Sequence, residues 1–165
     1  MLYTILAVLL IIIDQVTKYL VRANISLGEN LTFIPGVLDL TYVQNTGAAF
    51  SILEKHTWLL TLFSAVIVVL IGFMVAKKWF KGWIGLTSAM LIIAGGVGNL
   101  IDRVLFKFVT DMLETTFMDF PVFNFADCCI TVGVALLFIY TLFIWDDDKK
   151  KGGTKDGTDL PADDQ

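Results

Sequence analysis

Four stretches of about twenty mostly apolar residues, Leu2–Val21, Thr57–Ala76, Trp83–Ile101 and Ala126–Trp145, run through a chain of 165 residues. Each has the length of helix, roughly 20 residues, that crosses a hydrocarbon core of about 30 Å. With 56% of its residues hydrophobic, the chain lies outside the range of ordinary soluble domains and needs a solvent other than water. The expected fold is an all-α membrane protein, one domain over residues 1–145 built as a bundle of four transmembrane helices.

The first stretch could also be read as a cleaved signal peptide, but no basic segment precedes it and no small-residue cleavage site follows it. It is therefore expected to remain as a membrane span. Lys77, Lys78 and Lys81 fill the short turn between the second and third stretches, and Lys149, Lys150 and Lys151 follow the fourth. Basic loops stay on the cytoplasmic side, so both termini are expected there. Residues 146–165 carry seven Asp against four Lys and supply −3 of the net charge of −4. That segment has too few apolar groups to fold and reads as a disordered cytoplasmic tail.

Two longer connections, Arg22–His56 and Asp102–Phe125, fall on the opposite side. The first contains Leu31-Thr32-Phe33-Ile34 and Val37-Leu38-Asp39-Leu40-Thr41-Tyr42-Val43, separated by Pro35-Gly36. Short alternating runs around such a turn predict a small antiparallel β-sheet at the extracytoplasmic face. Trp58, Trp79, Trp83 and Trp145 stand near span ends, where amphipathic rings favour the headgroup zone.

Ionisable groups in or beside a span are expensive and mark function by default. Asp14 and Lys18 lie four residues apart, on one face of the first helix, where they can neutralise each other as an orienting or supporting pair. The third stretch ends in Gly95-Gly96-Val97-Gly98-Asn99-Leu100-Ile101-Asp102-Arg103, and Ala94 with Gly98 has the small-residue spacing of close helix contacts. No strand precedes these glycines, which rules out a nucleotide-binding loop. Asn99 and Arg103 project together from the helix end, and Arg103 calls for a carboxylate from Asp111, Asp127 or Asp14. Asp127 opens the fourth span, where it could also serve as an N-terminal cap.

Neither Ser–His nor Cys–His pairs compete with Asp111 and Asp127. Cys128 and Cys129 are adjacent in an apolar run and read as packing residues, while His56 has no Cys or His at ligand spacing, so no metal site is expected. Two carboxylates held together share one proton. One can then act as base on a water while its protonated partner polarises a peptide carbonyl. Intramembrane acids also occur in small transporters and proton-conducting bundles, which form the alternative. Such proteins spread their acids through the bilayer depth, whereas these gather on one side.

Taken together, the motifs resemble the type II, or lipoprotein, signal peptidase family of bacterial membranes. Asp14-Gln15-Val16-Thr17-Lys18 matches D-Q-x-T-K, and Gln44-Asn45-Thr46-Gly47-Ala48-Ala49-Phe50-Ser51 contains N-x-G-A-A-F. Gly95–Arg103 fits G-G-x-x-G-N-x-x-D-R, and Phe123-Asn124-Phe125-Ala126-Asp127 fits F-N-x-A-D. The resemblance implies that Asp127 is one catalytic aspartate. The other lies in a V-V-D-F-like segment, here Val109-Thr110-Asp111-Met112, which departs at two of four positions. Asp119 is the rival acid, but Asp111 keeps the expected distance after Asn99 and Arg103.

By the same resemblance, the chain would be an aspartic endopeptidase of the bacterial cell membrane, cleaving prolipoproteins before a diacylglyceryl-modified cysteine. Its active site would face the extracytoplasmic side. Asp14, Lys18, Asn45, Asn99, Arg103 and Asn124 would support the dyad or fix substrate amides, and Gly47-Ala48-Ala49 would suit close backbone approach or a small lid. No cofactor is implied. The expected partners are lipid-modified prolipoproteins and membrane lipids, without nucleic acid, and the enzyme would act as a monomer.

Overall fold

A computed structural model describes residues 1–47 and 57–143. The tail 146–165, the lid residues Ala48 and Ala49, His56 and Trp145 therefore lie outside the described residues. The described chain runs α1 (Leu2–Asn24), β1 (Asn30–Ile34), β2 (Leu38–Asn45), α2 (Thr57–Ala76), α3 (Gly82–Phe106), β3 (Val109–Thr115) and α4 (Phe125–Phe143). All four helices are long and apolar enough to cross a membrane.

The helices turn their apolar faces outward and their ionisable groups inward. On α1, Ile5, Val8, Leu9, Ile12, Ile13 and Val16 are exposed while Asp14 and Lys18 are buried. Hydrocarbon solvates such a surface, so bundle packing need not bury it. In its most apolar window α3 is 50% buried, against 6% for α2. α3 is accordingly the central helix, packing on α1, α2 and α4.

Close approach at α3 depends on glycine. A Cβ at Gly95 would run into the Ala126 carbonyl of α4, and one at Gly98 into the Asp14 carboxylate of α1. The contact is thus a three-helix junction at Gly95 and Gly98, while Ala94 packs with Ala7 and Met90. α3 continues to Phe106, beyond the sequence expectation of Ile101, because Val104-Leu105-Phe106 prolong its apolar face. Lys107 then ends it in the left-handed conformation, φ 68°. Asp102 and Arg103 are consequently helical residues rather than the start of a loop.

The sheet has the order β1-β2-β3, antiparallel throughout. Its third strand was not foreseen from the sequence and carries Asp111. Val21 and Ile25 at the end of α1 pack against Tyr42 and Met112, which anchors the sheet over the helix ends. Between β2 and β3 the register shifts from Leu40↔Leu113 to Val43↔Asp111, leaving one extra residue on β2. Bulges of this kind re-aim neighbouring side chains, and this one directly precedes the Asp111 pair.

Candidate active site

Asp111 is the third residue of β3, a strand held from both sides. Its partner across the sheet is Val43, while the next residue, Met112, donates its amide to the Phe123 carbonyl at 3.0 Å. On the preceding residue, the Thr110 amide donates to Asp102 Oδ2 at 2.8 Å. Asn45 lies opposite Val109, diagonal to Asp111, within reach of polar side chains on the same face. Its Nδ2 donates to Asp111 Oδ2 at 2.8 Å.

Asp127 is positioned by the start of α4. Asn124 Oδ1 accepts the Asp127 amide at 3.0 Å, and Asp127 Oδ2 accepts the Asn124 amide at 3.1 Å. This reciprocal pair is a capping box with asparagine as the cap, so Asp127 occupies the third helical position and is not itself the N-cap residue. Asp14 completes the helix start from α1 by accepting the Ala126 amide at 3.0 Å.

Three asparagine amides converge on the two acids, each oriented through its oxygen. Gly47 N–H donates to Asn45 Oδ1 at 2.9 Å, which turns the Asn45 NH2 toward Asp111. Lys18 Nζ donates to Asn99 Oδ1 at 2.8 Å, leaving Asn99 Nδ2 to donate to Asp127 Oδ1 at 2.8 Å. With its oxygen on the Asp127 amide, Asn124 directs Nδ2 to Asp111 Oδ1 at 2.7 Å and to Asn99 Oδ1 at 3.2 Å. Asn124 therefore ties both carboxylates into one network.

Lys18, which is wholly buried, pairs with Asp14 at 2.9 Å and approaches Asp102 at 3.8 Å. Buried charges persist only when paired and hydrogen-bonded, and this lysine has both carboxylates and the Asn99 oxygen. Arg103 differs from the expectation. It forms no ion pair among the described residues, and its Nε is buried without a hydrogen-bond partner. The candidate carboxylates are already taken, Asp111 and Asp127 by asparagine amides and Asp14 by Lys18 and the Ala126 amide. The charges of Asp127, Asp111 and Asp102 face Arg103 without a direct bond to it.

Burial, and then the charge of Asp127, push the Asp111 carboxyl up from 3.8 to about 6. The Asn45 and Asn124 amides and the charge of Lys18 pull the other way. A proton is thus retained on the pair into weakly acidic solution, which suits a site needing one acid and one base.

Both aspartates line a cavity of about 500 Å³ between segment 120–123 and the first turns of α4. Asn45 completes its polar end, and Phe120, Pro121, Val122, Phe123, Ile130 and Val132 make the remainder largely apolar. Asp119 is exposed and borders a separate depression with Asp39 and Glu114. Among the described residues no set of three His, Cys, Asp or Glu could hold a metal ion, and Cys128 and Cys129 are unbridged.

Asp102, fully buried between Lys18, Arg22 and the Thr110 amide, was not among the site residues expected from sequence. Its signal was its place three residues after Asn99, on the face that meets Lys18.

The sequence model of signal peptidase II matches residues 6–143. The lipoprotein signal peptidase of Enterococcus faecalis is 42% identical over 156 residues, 94% of this chain and 95% of that protein. That of Lactiplantibacillus plantarum is 42% identical over 140 residues, 85% of this chain and 93% of the relative. A bacterial membrane enzyme solved by the in meso method at 2.3 Å superposes with a TM-score of 0.81 at 31% identity, over 96% of this chain and 94% of that one. A second, at 1.9 Å, gives 0.79 at 33% identity over 86% and 93%.

Proposed function

Since the chain belongs to the signal peptidase II family, we propose that it is an aspartic endopeptidase that removes signal peptides from prolipoproteins, with Asp111 and Asp127 as its catalytic pair. One observation carries this reading: both carboxylates border one cavity and are joined through Asn124, with a proton retained to about pH 6.

In the proposed reaction the ionised member of the pair takes a proton from a water while the protonated member transfers its proton to the scissile carbonyl oxygen. Water oxygen adds to the carbonyl carbon, giving a tetrahedral diol and leaving one proton on the pair. On collapse the pair gives that proton to the amide nitrogen, the C–N bond breaks, and a diol hydroxyl returns its proton to the pair as the new carbonyl forms, so the two carboxyls again share one proton. The asparagines hold both acids at fixed separation throughout, so little reorganisation is needed.

The cavity's apolar end supports a substrate that brings hydrocarbon with it, consistent with cleavage before a diacylglyceryl-modified cysteine. Lys77 and Lys78 at the α2–α3 turn support an inside location for that turn and an extracytoplasmic location for the sheet and both aspartates.

The test is cleavage of a synthetic lipidated signal-peptide substrate by the purified full-length chain. Asp111→Asn and Asp127→Asn are each expected to lower kcat at least about 1,000-fold while the protein remains folded. Substantial turnover by either variant would remove that aspartate from the pair. Equal cleavage of lipidated and unlipidated peptides would broaden the substrate class. An ion flux in proteoliposomes that survives loss of both acids, without cleavage, would favour a transporter instead.

A further inference from the structure

Thr110, the residue before Asp111, is fully buried and held at two points. Asp102 accepts its amide at 2.8 Å, and Arg22 Nη1 donates to its hydroxyl oxygen at 2.7 Å. Arg22 also meets the Asp102 carboxylate at 3.6 Å, and its guanidinium lies over the Phe106 ring, 4.5 Å from the centroid.

The residues that build this clamp are spaced for it. Lys18 and Arg22 are one turn apart on α1, and Asp102 and Phe106 are one turn apart on α3. One turn of each helix therefore grips the strand at residue 110. The planar guanidinium can bond a hydroxyl, face a carboxylate and stack on an aromatic ring together, which a lysine ammonium cannot do in the same geometry.

We infer that Arg22 is a positioning residue for Asp111, setting its place in the active site through the Thr110 hydroxyl and the Asp102 carboxylate. The inference rests on the assignment of Asp111 made under Proposed function. Arg22 touches neither catalytic carboxylate in any hydrogen bond or ion pair. It acts one residue away, on the side of Asp111 opposite the Met112–Phe123 bond.

The experiment measures kcat and KM separately, on a lipidated signal-peptide substrate, for the full-length chain and for Thr110→Val, Thr110→Ser, Arg22→Gln and the Arg22→Gln/Thr110→Val double variant. Thr110→Val keeps the side-chain shape and removes the acceptor. It is expected to lower kcat about tenfold with KM within about twofold, since small misplacements of a reacting group act on the chemical step. Thr110→Ser should recover most of that loss. Arg22→Gln should lower kcat at least as much, and the double variant should be no slower than Arg22→Gln alone, because both changes break one bond.

Wild-type kcat in Thr110→Val, a Thr110→Ser variant as slow as Thr110→Val, or losses that multiply in the double variant would each overturn the inference. So would a parallel rise in KM and fall in thermal stability, which marks a merely structural role. If Arg22→Gln does not fold, the valine–serine comparison decides by itself. Failure of the unsubstituted chain to cleave the substrate would instead overturn the function proposed above.

Discussion

The proton retained by Asp111 fixes the direction of the pH response. Catalysis by a carboxyl pair needs one proton on it, and Asp111 holds that proton up to about pH 6. The free enzyme's kcat/KM should therefore fall as pH rises through about 6. Asn45 donates to Asp111 and so favours its anion. In Asn45→Ala the Asp111 carboxyl should keep its proton to higher pH, moving the alkaline limb upward by as much as about one unit while the maximum rate drops. A pH profile of kcat/KM checks this, and an unmoved or acid-shifted limb would count against Asn45 as a direct donor. Asp127 was legible as a site residue because its motif is intact. Asp111 was harder to read, since Val109-Thr110-Asp111-Met112 departs from the family pattern and its two donors, Asn45 and Asn124, come from residues distant in sequence. Nothing in local spacing announces such contacts.

At the scale of elements, the start of α4 serves stability and chemistry through one side chain. Asn124→Ala removes the cap and both side-chain amide bonds, so it should destabilise the fold by about 0.5–2 kcal/mol and also cut turnover. Asn124→Ser retains a capping oxygen but is too short to carry the amide to Asp111. Thermal unfolding in detergent should return to near the wild-type midpoint in the serine variant while kcat stays low. Recovery of both together would mean that the cap alone matters. Gly98 makes a second prediction of this kind. The Asp14 carboxylate beside it is fixed by Lys18, Gln15 and the Ala126 amide and cannot swing away. Gly98→Ala should therefore cost about 1–3 kcal/mol and separate α1 from α3, read as a lowered unfolding midpoint. The helices were legible because hydrocarbon thickness sets their length. β3 was not, because Val109–Thr115 mixes buried and polar positions without clean alternation and forms only where β2 and Phe123 supply partners. The Arg103 pairing was misjudged for a related reason: sequence shows which charges are available, but not that amides have already satisfied them.

Across the whole molecule, the sheet and all the carboxylates of the site share one end of the bundle, and the α2–α3 turn with Lys77 and Lys78 lies at the other end of α3 from Asn99. Moving basic loops across a membrane is unfavourable, so the proposed orientation keeps this lysine-rich turn inside. This arrangement predicts opposite accessibility for exposed positions at the two ends, Leu27 beside the sheet and Lys78 in the turn. In intact cells, Leu27→Cys should react with a membrane-impermeant thiol reagent. Lys78→Cys should react only after permeabilisation, each measured over the labelling of the unsubstituted chain with its own Cys128 and Cys129. The reverse pattern would place the aspartates on the cytoplasmic side, where an exported lipoprotein precursor could not present its cleavage site. The labelling thereby tests orientation together with the proposed activity: on that proposal, the charges of the turn set which face of the membrane the carboxyl pair serves.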